Sequence, residues 1–241
     1  TEIQLPHTVK ELPYHYFDEK IYQFHSCYRK KFAVSPQLQD MRLFIDFDGV
    51  MCYAKVFVNG HPVGEHKGGY TPFSVEITPQ VEYSEEEINL LAVYVDSTER
   101  ADIPPFGGTV DYLCYGGIYR DVTLQVTDKV HAEKNGTTIL TPDLEKQQNG
   151  KVDTHVTSKI VNTDDKDHEI VAEYQIIERN GQAVTDVVRT DSQVLKAHQS
   201  TSLNAILQVE KPKLWTVLND KPALYELVTR VYRDGQLVDA K

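Results

Sequence analysis

The sequence has few cysteines, and they are poorly placed for a disulfide scaffold or a zinc site. The 3 cysteines are Cys27, Cys52 and Cys114, an odd number without the closely spaced pairs that such sites use. We therefore expect free, mostly buried thiols and a reducing compartment. Neither a metal site nor a cofactor is predicted.

Positive charge and long apolar stretches are also scarce. The 36 acidic residues outnumber the 25 basic ones, which gives a net charge of -11 at pH 7. An acidic protein is a poor partner for nucleic acid or anionic membranes. No apolar run approaches the ~18 residues of a transmembrane helix, and no signal peptide is visible. We predict a cytoplasmic protein, although a chain that begins with Thr1 rather than Met leaves export open.

The motifs of common hydrolases and nucleotide-binding enzymes are missing as well. The sequence has no GxSxG nucleophile elbow, no HExxH zinc motif and no phosphate-binding loop. The 9 histidines show no fixed metal-ligand spacing, so packing or surface roles are the default for them. No catalytic residue is predicted in this chain.

The dominant pattern is an alternation of apolar and polar residues, which indicates β-strands. In the first half it runs along residues 41–47, 54–58, 73–77, 88–95 and 118–126. The first hairpin is predicted to turn at Asn59-Gly60, the strongest short hairpin signal. Residues 88–95 are apolar on both faces, which predicts a central strand buried on both sides.

A second group of strands follows, along residues 152–161, 169–178, 202–209 and 224–240, with a turn at Asp234-Gly235. Short strands at regular spacing without a long helical pattern predict an all-β protein made of two β-sandwiches. We place the domain boundary near residue 127, which gives domains 1–127 and 128–241. We expect the last strand to be cut short.

One segment concentrates unusual residues: DSTERADIPPFGGTVDYLCYGGIYR, residues 96–120, called the site loop below. It is longer than most connections between strands, and long loops in compact domains are often functional. Asp111 offers a carboxylate that can accept hydrogen bonds from two sugar hydroxyls, while Tyr112 and Tyr115 offer flat faces for sugar rings. Residue types alone favour the alternative, in which Asp111 is a turn residue and the tyrosines pack ordinarily.

Five motifs lie in order along the chain: LPHT from Leu5, FIDFDGVMCYAKVFVNGHPVGEHKGGYTPFSVEIT from Phe44, LAVYVDS from Leu91, DYLCYGGIYRDV from Asp111 and PKLWTVLNDKPALYEL from Pro212. Together they resemble glycoside hydrolase family 2, which contains β-galactosidases, β-glucuronidases and β-mannosidases. The motif around Asp111 looks most like β-galactosidase versions.

The resemblance implies a jelly-roll-like (galactose-binding-like) domain, then an immunoglobulin-like domain, then a (β/α)₈ barrel that carries two catalytic glutamates. The chain would be the non-catalytic N-terminal part of a retaining glycosidase. Its implied partners are a carbohydrate substrate, such as a β-galactoside, and the catalytic barrel of the same polypeptide; a homo-oligomer is compatible. Asp111 would hydrogen-bond substrate hydroxyls at the barrel mouth.

Two other functions stay open at this point. A stand-alone carbohydrate-binding module or lectin would bind free sugar unaided. A pair of purely structural docking domains would expose a large apolar patch instead.

Overall fold

The computed structural model describes residues 1–11, 15, 18–107, 113–142, 144–146, 150–216, 218 and 222–241. Two compact units divide the chain, Thr1–Val126 (unit 1) and Thr127–Lys241 (unit 2). Each unit is built from two antiparallel sheets, which confirms the prediction of an all-β protein made of two sandwiches. The helices of the described part are single 3-10 turns: Glu19–Tyr22, Pro36–Leu38, Thr78–Gln80 and Leu144–Lys146. None of these is long and apolar enough to cross a membrane.

The first sandwich contains a four-stranded sheet of order β1-β6-β3-β4 and a three-stranded sheet of order β5-β2-β7. Its strands are β1 (His25–Val34), β2 (Arg42–Phe47), β3 (Tyr53–Val58), β4 (His61–Lys67), β5 (Phe73–Glu76), β6 (Ser84–Asp96) and β7 (Val122–Thr127). Because alternate residues of a strand point to opposite faces, Ile45 and Phe47 of β2 enter one buried cluster with Val56 of β3 and Val93 of β6.

The hairpin between β3 and β4 turns at Asn59-Gly60, as predicted. Both residues have positive φ, 51° and 83°, the conformation that a type I′ turn requires and that asparagine and glycine tolerate. Asn59 also accepts a hydrogen bond from the Leu90 amide at 2.8 Å, so the turn is tied to β6 as well as to its own strands.

The second sandwich contains a five-stranded sheet and a three-stranded one. In the larger sheet the order is β11-β10-β14-β15, with β12 also paired to β10, and in the smaller it is β13-β9-β8. The strands are β8 (Val130–Leu140), β9 (Lys151–Asn162), β10 (His168–Glu178), β11 (Val188–Arg189), β12 (Gln193–Leu195), β13 (Ser200–Glu210), β14 (Tyr225–Arg233) and β15 (Gln236–Ala240). Its core centres on Ile160, Ile170, Tyr174 and Leu207, all fully buried.

Two strand predictions need correction. The strand predicted at 88–95 is central, because β6 lies between β1 and β3, but it is buried on one face only: Ile88 and Leu90 are exposed. The strand predicted from residue 118 begins at Val122. Residues 118–121 belong to the preceding loop, in which the Asp121 carbonyl accepts a hydrogen bond from the Asp48 amide at 3.0 Å.

Candidate functional site

The site loop starts at the end of β6, beside the first residue of β3. The register pairs Asp96 with both Tyr53 and His25. Two stretches of the loop are described: a first arm, residues 96–107, and a second arm, residues 113–120. Asp111 and Tyr112 lie outside the described residues. Tyr115 is half-buried in the second arm, and its predicted role as a sugar contact stays a prediction.

A charged cluster ties the first arm to the sheet. Arg100 Nη1 lies 3.5 Å from Asp96 Oδ2, and Arg100 Nε lies 3.1 Å from Asp102 Oδ1. The other oxygen of Asp102 lies 2.6 Å from Lys67 Nζ at the end of β4. The Arg100 guanidinium also stacks over the Tyr53 ring, 5.0 Å from its centroid. The arm is therefore connected to β6, β4 and β3.

The pKa values of Asp96 and Asp102 reflect the positive charges and hydrogen-bond donors around them. Hydrogen bonds from Lys67 and then Arg100 lower the pKa of Asp102 to about 2. Burial raises the pKa of Asp96, but the hydrogen bonds from Thr98 and the nearby positive charges outweigh it, so the net shift is downward. Both groups are therefore carboxylates at neutral pH, and the cluster keeps its alternating charges.

The second arm is anchored by backbone contacts. Met51 and Gly117 form an isolated antiparallel bridge, with Met51 N donating to Gly117 O at 3.0 Å. Tyr119 Oη donates to the Gly69 carbonyl in the loop after β4. Gly116 lies so close to Ser97 that a Cβ there would approach the Ser97 side chain to 2.4 Å. The two arms are thus packed against each other at this point.

A small apolar cluster fills the space between the arms. Met51, Cys52 and Ile103 are buried there, and Cys114 and Tyr119 pack against them. Burial, followed by the charge of Asp96, raises the pKa of the Cys52 thiol to about 11, so this thiol stays protonated and unreactive at neutral pH. Cys27 is exposed, which corrects the expectation of mostly buried thiols.

The space that the described arms enclose is small. A cavity of about 60 Å³ lies among Cys52, Arg100, Ile103 and Cys114, well below the ~300–1,000 Å³ of ordinary ligand pockets. Aromatic rings face outward beside it: Phe106 and Tyr70 are exposed, and Tyr70 Oη lies 3.6 Å from Cys114 Sγ. Within the described residues no group of three or more His, Cys, Asp or Glu side chains could hold a metal ion.

Sequence reasoning found the loop but missed four of the residues that organise it: Lys67, Tyr70, Arg100 and Asp102. Lys67 and Asp102 are 35 positions apart, so no local spacing could reveal their contact. The one available signal was the alternation of charges in ERAD, at residues 99–102. Chemically, the described arms offer carboxylates, hydroxyls and aromatic faces, which suit recognition of a polar ring.

Comparison with known proteins identifies a single family. The family described as "Glycosyl hydrolases family 2, sugar binding domain" matches residues 2–128, and "Glycosyl hydrolases family 2" matches residues 122–241. A β-galactosidase of Thermoanaerobacterium thermosulfurigenes is 40% identical over 235 residues, which cover 93% of this chain and 30% of the relative. A β-glucuronidase of Bacteroides fragilis is 32% identical over 219 residues, covering 88% and 30%.

Solved structures with a similar fold include enzymes of the same kinds. The crystal structure of a Bacteroides uniformis β-glucuronidase matches with a TM-score of 0.83 at 26% identity, covering 100% of this chain and 28% of that one. The chain thus spans about 30% of the length of the curated relatives that it matches.

Proposed function

Because this chain belongs to glycosyl hydrolases family 2, we propose that it forms the N-terminal, non-catalytic part of a retaining β-galactosidase-type glycosidase. The whole polypeptide would hydrolyse O-glycosyl bonds in carbohydrate metabolism. The two catalytic glutamates would lie on a (β/α)₈ barrel elsewhere in that polypeptide, about 5–5.5 Å apart as retention requires. By this proposal, unit 1 is the sugar-binding domain and unit 2 the immunoglobulin-like domain.

The observation that carries the proposal is the 40% identity to a β-galactosidase over 93% of this chain but only 30% of the relative. The geometry of the site loop supports the same view. Its described arms are anchored to the sheet, the Phe106 and Tyr70 rings beside them are exposed, and the cavity between them is only about 60 Å³. Such an edge suits one wall of a site that a second domain completes.

In this proposal Asp111 is the substrate contact that the chain supplies. A carboxylate accepts hydrogen bonds from two neighbouring hydroxyls without itself reacting, which orients a sugar ring for attack elsewhere. Tyr112 and Tyr115 would flank it as weaker contacts through ring faces and hydroxyls. We propose a β-galactoside as the substrate because the relatives with the higher sequence identities are β-galactosidases.

Replacing Asp111 by alanine in the full-length enzyme is expected to lower kcat/KM for a nitrophenyl β-galactoside. A hydrogen bond to a charged group contributes about 2 kcal/mol, so the loss should be about 30-fold by the usual conversion. Steady-state kinetics measures it. Asp40→Ala is the control, because Asp40 is an exposed aspartate of the same unit at the turn before β2. If Asp111→Ala changes neither kcat nor KM, Asp111 is not a substrate contact.

A second function, a stand-alone carbohydrate-binding module or lectin, is favoured by one specific observation. A groove of about 700 Å³ runs between the first residues of the chain and β1, beside Leu5, His7, Tyr28 and Lys30. This volume falls in the range of ordinary ligand pockets. A module of this kind would bind free sugar in the groove without any further domain.

A further inference from the structure

We propose that the groove beside β1 is a binding site for an organic carboxylate with an apolar body, such as a medium-chain fatty acid. The residues that line the groove all belong to unit 1, so this unit alone would hold the ligand. The inference goes beyond the proposed function and does not depend on it, because the ligand takes no part in hydrolysis.

The groove lies on the open side of the first sandwich. β1 is an edge strand of the four-stranded sheet, and β7 is an edge strand of the three-stranded one. Residues of both sheets line the groove, with Tyr28 and Leu91 from the first and Phe47 and Val122 from the second. Protein interiors are normally packed without voids much larger than a water molecule. A groove of about 700 Å³ between two sheets is therefore space that the described side chains leave open.

The first residues of the chain form one wall of the groove. The His7 amide donates to the Ile118 carbonyl at 2.8 Å. The His7 ring also reaches β1, where its Nδ1 atom lies 2.9 Å from Tyr28 Oη. Residues 1–4 line the groove too, but they are exposed. The wall is thus fastened at His7, and the groove is open to solvent beside residues 1–4.

Lys30 is a charged residue on the inner face of β1. Tyr28 and Phe32 both pack against the core of unit 1, and Lys30 lies between them at the spacing that places alternate residues on one face. Its Cα partner on β6 is Leu91, which is 8% exposed. Lys30 therefore occupies a position where a core residue would be expected. It is nevertheless exposed, because the groove gives its ammonium group access to water.

The groove is also more positive than the protein as a whole. The chain carries a net charge of -11, yet the groove is lined by three basic residues and two acidic ones, namely Arg29, Lys30, Lys31, Glu2 and Glu87. In the described part of the chain neither carboxylate forms an ion pair with Lys30. An ammonium group without a partner, beside apolar surface, favours a carboxylate as its ligand, because charge-assisted hydrogen bonds are stronger where water is partly excluded.

The floor of the groove indicates what the rest of the ligand should be. Phe47, Leu91 and Val93 line it, and all three belong to the buried core of unit 1. Their side chains offer no hydrogen-bond partner to the hydroxyls of a sugar, and burying a hydroxyl without a partner costs free energy. An alkyl chain instead gains free energy when it leaves water. The groove therefore suits a carboxylate with an alkyl chain better than a free sugar.

An inward lysine on an edge strand has a structural explanation as well. Such a charge discourages the strand from pairing with another chain. If this were the only role of Lys30, its loss would promote self-association of the protein and would leave the binding of any carboxylate unchanged. The two roles can therefore be separated by experiment.

The test is calorimetric titration of decanoate, below its micellar concentration, into the full-length enzyme. We expect saturable binding at one site per chain. Lys30→Met should weaken it about tenfold, because methionine keeps most of the length of the side chain but removes the charge that holds the carboxylate. Decanol, which has the chain without the charge, should bind the wild type and Lys30→Met equally. Acetate, which has the charge without the chain, should not bind.

Lys55→Met is the matched control. Lys55 lies between the buried residues Ala54 and Val56 of β3, so it is on the outer face of the same sheet, and it does not line the groove. This variant should bind decanoate like the wild type. Val122→Phe fills the groove from the opposite sheet and should abolish binding. Should Val122→Phe fail to fold, the two lysine variants and the three ligands carry the test alone.

Each outcome decides for or against the proposal. If decanoate does not bind, or if it binds the wild type and Lys30→Met equally, the proposal is overturned; self-association of Lys30→Met in size-exclusion chromatography would then assign the lysine to edge protection. Binding of galactose that Val122→Phe abolishes would overturn the choice of ligand and support a carbohydrate-binding module. Decanoate binding that weakens in Lys30→Met but not in Lys55→Met supports the carboxylate site.

Discussion

Replacing Gly117 by alanine is expected to destabilise unit 1 by about 4 kcal/mol. Gly117 has φ +141°, a conformation that costs other residues roughly 1–3 kcal/mol. An added Cβ would lie 2.5 Å from the His7 carbonyl oxygen and 2.8 Å from Tyr28 Oη, and such overpacking costs another ~1–3 kcal/mol. The neighbouring backbone cannot easily yield, because His7 N donates to Ile118 O at 2.8 Å.

Urea unfolding followed by circular dichroism measures this loss. Gly60→Ala is the matched control: Gly60 also has a positive φ, +83°, but a Cβ there would have no heavy atom within 4 Å. It should lose only the conformational part, about 1 kcal/mol. Equal losses in the two variants would show that the packing around Gly117 is looser than the structure indicates.

Replacing His168 by alanine is expected to destabilise unit 2 by about 3 kcal/mol. The ring is 9% exposed and lies between two carboxylates, with Nδ1 2.7 Å from Asp234 Oδ2 and Nε2 3.1 Å from Asp164 Oδ2. Removing a hydrogen-bond partner of a buried group costs about 1–3 kcal/mol, and more when the group left behind is charged; the loss stays near the top of that range rather than above it because water screens the half-exposed Asp234.

The stability that unit 2 loses in His168→Ala should depend on pH in a defined direction. Hydrogen bonds from His168 hold the pKa values of Asp164 and Asp234 below the ordinary value of 3.8. Their contribution to stability is therefore complete above pH 3.8 and disappears as the pH falls through the lower folded-state values. Urea unfolding at a series of pH values should show the difference between wild type and His168→Ala shrinking in that acidic range.

The control for this prediction is Lys196→Ala. Lys196 Nζ lies 2.7 Å from Asp167 Oδ2, the same separation as the shorter His168 contact, but the two side chains are 62% and 45% exposed. An exposed pair contributes little, so this variant should unfold like the wild type. A His168→Ala variant that is equally unaffected would contradict the buried-pair account.

Some of the fold follows directly from local sequence. Asn59-Gly60 and Asp234-Gly235 both form the tight turns predicted for them, and all four residues have positive φ. The alternation in β2 and β9 also matches their burial, in which every second residue is buried. These features depend only on neighbouring residues, which is why period and turn chemistry suffice to predict them.

Strands that lack a clean alternation were missed. β1 is an edge strand, and its central residues Arg29, Lys30 and Lys31 are polar on both faces. β8 changes register between Ala132 and Thr137, where Asn135 adopts a positive φ of 58°. A bulge of this kind breaks the period of two and hides the strand from pattern analysis.

The candidate site likewise has features that the sequence predicts and features that it does not. Glycine, proline and aromatic content marked the site loop, and the family resemblance singled out Asp111. The cluster of Lys67, Asp96, Arg100 and Asp102 could not be predicted, because it joins β4, β6 and a turn that only the folded sheet brings together. Long-range ion pairs leave no trace in local spacing.

The central claim is that the sugar site is shared between this chain and the rest of its polypeptide. Calorimetric titration of galactose into the 241-residue chain and into the full-length enzyme tests it most directly. We predict binding to the full-length enzyme and no detectable heat of binding to the chain alone. Binding to the isolated chain at millimolar affinity or tighter would contradict the shared site and identify a self-sufficient carbohydrate-binding module.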